Sequence, residues 1–285
     1  MRTTRCFVVV AVSFAVSLGF ASKASSQSTV AEQVEALDWI EGPATAEIGN
    51  HATIEIPEGF RFVGKPGAGR FMELLENPSD KSELGVLLNT ESFWFVVFDF
   101  EATGYIKDDD KQLDAKAILS SIQEGTKAAN KVRRERGWPT MDVVGWYEEP
   151  YYDEATNNLT WAVEASSGDG ENSINHSTRM LGRRGVMRAN LVAGPEEVDG
   201  AVEAFNEMLG GFEFTSGNRY AEFVRGDKIA EYGLAGLIVG GTGVALVKSG
   251  LLQKFGKLIV VGVVALLGAL KKLFNSLTGR QTATS

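Results

Sequence analysis

Three groups of side chains in this sequence have the types and the spacing to do chemistry. "YIKDDDKQLD" places Asp108, Asp109, Asp110 and Asp114 within seven residues. Such an oxygen-rich run can hold a metal such as calcium or another ligand, although it lacks the glycine and the bidentate glutamate of an EF-hand loop. The same residues serve equally as a solvated turn feeding a helix capped by Asp114. Arg179, Arg183, Arg184 and Arg188 cluster around a hairpin from Gly182 to Gly185. They can grip a phosphate or carboxylate, or balance neighbouring acids. "GWYEEPYYD" gathers Trp146, Tyr147, Glu148, Tyr151, Tyr152 and Asp153, aromatics beside carboxylates that suit a carbohydrate or peptide surface. Strand residues of this kind also build cores.

Other chemistries find no support. His51 and His176 are the only histidines, neither has a metal-ligand partner at a recognisable spacing, and His51 follows Gly49 and Asn50, a hairpin-turn signal. Neither a nucleophile elbow, a Walker A loop nor a dinucleotide-binding glycine motif occurs where a strand would feed a helix. Acid pairs such as Glu148 with Asp153 are available in any acidic protein and are no argument for a glycosidase. No cofactor is implied.

The elements that must hold these residues divide by charge. Residues 1–26 carry +3 and residues 226–285 carry +5, so a whole-chain charge of -9 leaves -17 on residues 27–225. Such a surface repels nucleic acid and anionic lipid. The first 26 residues have two arginines, an apolar run from Cys6 to Ala21 and then small residues, the layout of a secretory signal. Cys6 is the only cysteine, so a chain cleaved there has no disulfide and no thiolate site.

Towards the other end, sixteen uncharged residues from Tyr232 to Val247 approach the length of a membrane span. Gly236 and Gly240 form a GxxxG pair, which suits close packing against another helix or a second copy of the chain. A second run, Leu258 to Leu270, has thirteen uncharged residues and crosses only if its flanking lysines snorkel. Lys248, Lys254 and Lys257 between the runs place that side in the cytoplasm by the positive-inside rule. The expected division is a signal peptide at 1–26, an exported acidic α+β domain at 27–225, a transmembrane helix at 226–250, and a membrane-associated segment and tail at 251–285. The alternative is that both runs are helices of a buried core.

Within the acidic domain, residues 52–63 alternate like a strand on either side of Pro57 and Gly59, and residues 92–101 form a buried strand from which "TGYIK" returns. Asp114 caps a helix with apolar residues at helical spacing from Ala115 to Val132. Its end carries Arg133, Arg134 and Arg136, and Gly137 stops it. Residues 141–149, 158–166, 174–182 and 185–193 read as antiparallel strands, followed by a helix from Glu196 to Leu209 and a last strand, "GFEFT". An antiparallel sheet packed with helices makes an α+β sandwich.

"IPEGFRF", "WFVVFDFEATGYIKDDDK", "VVGWYEEPYYD", "NLTWAVE", "RMLGRRGVMRANLV" and "NRYAEFVRGDKIAEYGLAGLIVGG" occur in this order. Over roughly residues 35–260 the chain closely resembles the bacterial family called domain of unknown function 2167, uncharacterised membrane-anchored proteins. The resemblance implies a membrane anchor and brings no activity, substrate or catalytic residue. The order of elements is also similar to the Mog1/PsbP type of sandwich, a likeness of fold that licenses no function. The expected function is that of an envelope protein in the inner membrane, its large domain periplasmic or otherwise extracytoplasmic, binding a partner or helping to assemble a complex. The alternative is a membrane-tethered hydrolase using carboxylates near Glu148 to Asp153.

Overall fold

Period-two alternation builds most of this molecule, because each strand sends successive side chains to opposite sides of its sheet. A computed structural model describes residues 29–239, except 78, 80, 93, 110, 112 and 169. The chain runs α1 (Val30–Glu35), β1 (Ile40–Glu41), β2 (Ala44–Ile48), β3 (Ala52–Ile56), β4 (Phe60–Gly64), α2 (Gly67–Leu74), β5 (Glu83–Asn89) and β6 (Trp94–Glu101). It continues with α3 (Ala115–Glu135), β7 (Met141–Asp153), β8 (Asn158–Ser167), β9 (Asn172–Leu181) and β10 (Val186–Ala193). After these come α4 (Val198–Leu209), β11 (Glu213–Phe214), a 3₁₀ turn at Tyr220–Glu222 and α5 (Leu234–Val239).

Eight strands pair antiparallel in the order β1-β4-β5-β6-β10-β9-β8-β7, and a small sheet has the order β11-β3-β2. The strands read on either side of Pro57 are therefore β3 and β4, and they belong to different sheets. In β6, Trp94, Val96 and Phe98 enter a core with Ile48, Ile54, Ile56 and the α4 residues Val198, Ala201, Phe205 and Met208. Phe95 and Val97 point the other way, onto Phe71 and Met72 of α2. Further along that second face, Ile118 and Ile122 of α3 pack with Val143, Leu159, Trp161 and Val163. The large sheet is thus covered on one side by the small sheet and α4, and on the other by α1, α2, α3 and α5. An antiparallel α+β architecture is what the alternating runs imply.

The α3 helix forms as its sequence predicts. The Asp114 carboxylate accepts from the Ala117 backbone N–H at 2.9 Å, Arg133 and Arg134 lie in the last turn, and Gly137 takes φ +71°. Its buried stripe becomes polar halfway along. There Asn130 exchanges two hydrogen bonds with the Met141 backbone, at 2.6 and 2.8 Å, fixing the start of β7.

"TGYIK" does not return as a strand. Both neighbours of β6 are already taken by β5 and β10, and Gly104, at φ +100°, turns the chain so that Tyr105 forms an isolated parallel bridge with Ile229. Residues 226–233, read as the start of a transmembrane helix, are non-helical and bonded into the domain: the Tyr105 N–H donates to the Lys228 carbonyl, and the Ala230 N–H to the Tyr105 carbonyl. Helix begins only at Leu234, and Leu234, Leu237, Ile238 and Val239 are buried with Ile118 and Ile122. Among the described residues no helix is long and apolar enough to cross a membrane. The expected signal at 1–26, Gly240 of the GxxxG pair and the second apolar run lie outside the described residues.

Candidate functional site

The site with the most unsatisfied chemistry lies where α4 stops covering the sheet. Glu148 of β7 pairs with Ala162 of β8, and Ala162 pairs with His176 of β9. The three side chains form one row across three strands, and the middle one is a methyl group. The Glu148 carboxylate therefore passes over Ala162 and comes within 3.7 Å of His176 Nε2. The next row is Tyr151, Thr160 and Thr178. His176 is 3% exposed and Thr178 2%, and neither His176 Nδ1 nor Thr178 Oγ1 has a partner among the described residues. Burying such groups unpaired costs about 1–3 kcal/mol each.

Irregularity in β7 brings its residues to this place. The register shifts between Trp146 and Glu148 and again between Glu148 and Tyr151. A bulge changes which face a side chain meets. Trp146 and Tyr152 turn to the α3 side, where the Trp146 indole N–H donates to the Ala115 carbonyl at 3.1 Å and the Tyr152 hydroxyl donates to Asp108 at 3.1 Å. Tyr147 and Glu148 turn to the α4 side and line an open groove of about 870 Å³ with His176. Its other wall is α4, through Asp199, Glu203, Asn206 and Glu207. Across the groove the Tyr147 hydroxyl donates to Asp199 at 2.6 Å. Asn206 also borders an adjoining recess of about 650 Å³, lined among others by Tyr151, Asp153, Thr160, Thr178 and Arg219. The sequence group at 146–153 is thus split, with Tyr147, Glu148, Tyr151 and Asp153 around the groove and Trp146 and Tyr152 on the α3 side.

Burial sets the charge states here. It raises the Glu148 carboxyl above its ordinary value and lowers His176 to about 4, leaving the imidazole neutral at neutral pH. The Tyr147 hydroxyl is raised, first by its bond to Asp199. No serine, threonine, cysteine or lysine lines the main groove. The arrangement can hold a cation or a hydrogen-bonding ligand.

The four arginines do not converge. Arg188 of β10 lies in register between Asp99 of β6 and Arg179 of β9, on the α3 side. It is hydrogen-bonded to Asp99 and has Glu101 at 3.5 Å. Arg179 donates to Asn190 at 3.1 Å and lies 4.6 Å from the centre of the Trp161 ring; its Nε has no partner among the described residues. Burial, with Arg188 next to it, lowers Arg179 to about 9, and burial raises Asp99 against the pull of Arg188. Arg183 makes a two-pronged contact with Asp227 at 2.7 and 2.9 Å, which holds that carboxyl at about 2. The Arg184 carbonyl accepts from Gly104. Of the four aspartates, Asp108 is bonded to Tyr152 and Asp114 caps α3, while Asp110 lies outside the described residues. Among the described residues no three or more His, Cys, Asp or Glu side chains form a metal-binding group.

Sequence reasoning missed His176 as a neighbour of Glu148, and it missed α4 as an acidic wall. Asp199, Glu203 and Glu207 at intervals of four were the available signal for the second. A two-sheet α+β sandwich with an open, acid-lined groove defines the class of molecule. The chain belongs to the family described as "Protein of unknown function (DUF2167)", whose model matches residues 40–271. No curated protein matches the chain. Similar solved structures include the cyanobacterial PsbP (CyanoP) of Synechocystis sp. PCC 6803, with 12% identity, TM-score 0.38, and coverage of 62% of this chain and 95% of that one. The Ran-binding protein Mog1p of Saccharomyces cerevisiae is similar at 12% identity and TM-score 0.32, with 65% and 100% covered. At that distance neither says what this chain does.

Proposed function

We propose that this chain is a membrane-anchored protein of the bacterial envelope whose acidic domain, on the periplasmic or otherwise extracytoplasmic side of the inner membrane, captures a partner in the groove between α4 and β7. The groove carries this reading. It is open, its floor holds buried polar atoms without partners among the described residues, and Tyr147 and Tyr151 beside it are 48% and 47% exposed. These are features of a contact surface, where an enzyme would enclose its substrate. The anchor rests on the signal-like first 26 residues and the lysine-flanked apolar runs, and the glycine-rich run offers a surface for a second helix.

Protease accessibility in intact spheroplasts tests the topology, with one tag after Gln27 and another after Ser285. Digestion of the large domain from outside, with a C-terminal fragment kept by the membrane, is the expected result. A soluble protein, or a protected domain, overturns it. The hydrolase reading draws on one observation, the desolvated Glu148 beside neutral His176. It predicts turnover of a glycan or peptide that Glu148→Gln abolishes.

A further inference from the structure

We infer that the groove recognises an extended basic segment of a partner protein, with Lys or Arg at alternate positions. The inference rests on the partner-binding reading above and adds the chemistry of the partner.

Charge comes first. Glu148, Asp153, Asp199, Glu203 and Glu207 border the groove and its adjoining recess against one cation, Arg219. That arginine already lies 4.0 Å from Glu213 and 3.9 Å from Glu222. The floor supplies a second, independent observation: His176 of the groove and Thr178 of the recess are buried, and among the described residues His176 Nδ1 and Thr178 Oγ1 have no partner. Buried polar atoms are paired as a rule, and a chain that reaches this floor can supply the missing bonds.

Spacing selects the conformation. Asp199, Glu203 and Glu207 repeat every four residues on one face of α4, about 6 Å apart at 1.5 Å of rise per residue. Side chains on one face of an extended peptide repeat at about 6.6 Å. A strand with basic residues at every second position therefore runs nearly in step with the helix. Tyr147 and Tyr151 are exposed beside these acids, and aromatic rings there add attraction for the same cations.

The occupant is another molecule. At Val239 the described chain is packed with Ile118 and Ile122 on the opposite face of the large sheet. Anionic lipid and nucleic acid carry the wrong charge for these walls.

The test uses the full-length chain in mild detergent and three fluorescent decapeptides of alternating Lys-Ser, Asn-Ser and Glu-Ser, read by anisotropy. The Lys-Ser peptide is expected to bind, and Glu203→Gln with Glu207→Gln weakens it about tenfold. Glu124→Gln with Glu135→Gln, which removes the same charge from exposed positions on α3, changes it no more than roughly twofold. Equal loss in the two double variants means diffuse attraction by an acidic protein and overturns the inference. So does equal binding of the Lys-Ser and Asn-Ser peptides. If the Asn-Ser peptide binds alone and Tyr147→Ala with Tyr151→Ala abolishes that binding, the groove still captures partners and the basic chemistry is wrong. All these substitutions are at exposed residues, and an unchanged thermal midpoint confirms folding.

Discussion

Two polar rows cross the large sheet, one on each face, and they are built differently. On the α3 side Asp99, Arg188 and Arg179 sit in register on β6, β10 and β9, with long side chains of opposite charge filling the space between them. On the α4 side Glu148, Ala162 and His176 sit in register on β7, β8 and β9, and the middle residue is a methyl group. His176 and Arg179 lie three residues apart on β9, so a single strand carries both rows. The first row fills its own space with an ion pair, and Arg179 Nε is its one buried nitrogen without a partner among the described residues. The second leaves a gap, an imidazole nitrogen without a partner among the described residues and a carboxyl raised by burial. A buried ion pair accounts for itself structurally, whereas a row with its centre left out offers room to something else.

The largest effect should come from breaking the closed row. Asp99→Ala removes the buried carboxylate bonded to Arg188, next to Arg179, and is expected to cost about 3–5 kcal/mol in urea unfolding. Replacing Asp99 and Arg188 together with apolar residues of similar volume should restore most of it, and failure to do so would mean that the pair holds more than itself.

The open row should reveal itself through pH. His176 titrates near 4 in the fold against 6.5 when unfolded, so the unfolded chain takes up the proton first. The stability from keeping this imidazole neutral is complete above pH 6.5 and drains away as pH falls towards 4, by about 3 kcal/mol. Glu148, raised in the fold, opposes this at the acid end. His176→Gln should flatten the slope over that window in pH-dependent urea titrations. An unchanged slope would place the acid sensitivity elsewhere.

A smaller effect separates the cap from a metal site. Asp114→Ala should lower stability by about 1 kcal/mol through loss of the α3 cap, and added calcium should leave the thermal midpoint of the parent protein where it was. A calcium-dependent rise that Asp114→Ala removes would make the aspartates ligands. Smallest of all, Glu203→Gln with Glu207→Gln should change stability by less than about 0.5 kcal/mol. Those two side chains are exposed and matter for binding alone; a large loss of stability would tie the acidic wall to the fold.

How much of this was legible depended on whether the determinants were local. The α3 helix was readable because its cap, its apolar spacing, its terminal arginines and its stopping glycine all lie within the segment. The strands from β8 to β10 were readable as short apolar runs between turn residues. Helix α2 was not: "GAGRFMEL" has two glycines and no capping side-chain bond, so packing of Phe71 and Met72 has to supply what propensity does not. In β5, Gly85 hides the strand pattern because the Phe62 ring lies where a β-carbon would be, 2.0 Å from it. The site was half legible. Tyr147 and Glu148 stand out as aromatic and acid, but their meeting with His176 depends on strand register and on where β7 shifts, and both are settled by pairing across the sheet.

The shifts in β7 have another consequence. β7 is thirteen residues long and forms one outer boundary of the large sheet, so among the described residues one side of its backbone meets no further strand of that sheet. A long regular edge invites a second copy to add to it, the first step towards fibrous assembly. β7 is broken by three register shifts, between Val143 and Gly145 and on either side of Glu148, and carries Pro150, which has no amide hydrogen to offer. The kinks that turn Tyr147 and Glu148 towards α4 therefore also make this edge a poor template for self-association. Straightening β7 would dismantle the groove and open a route to aggregation in one change.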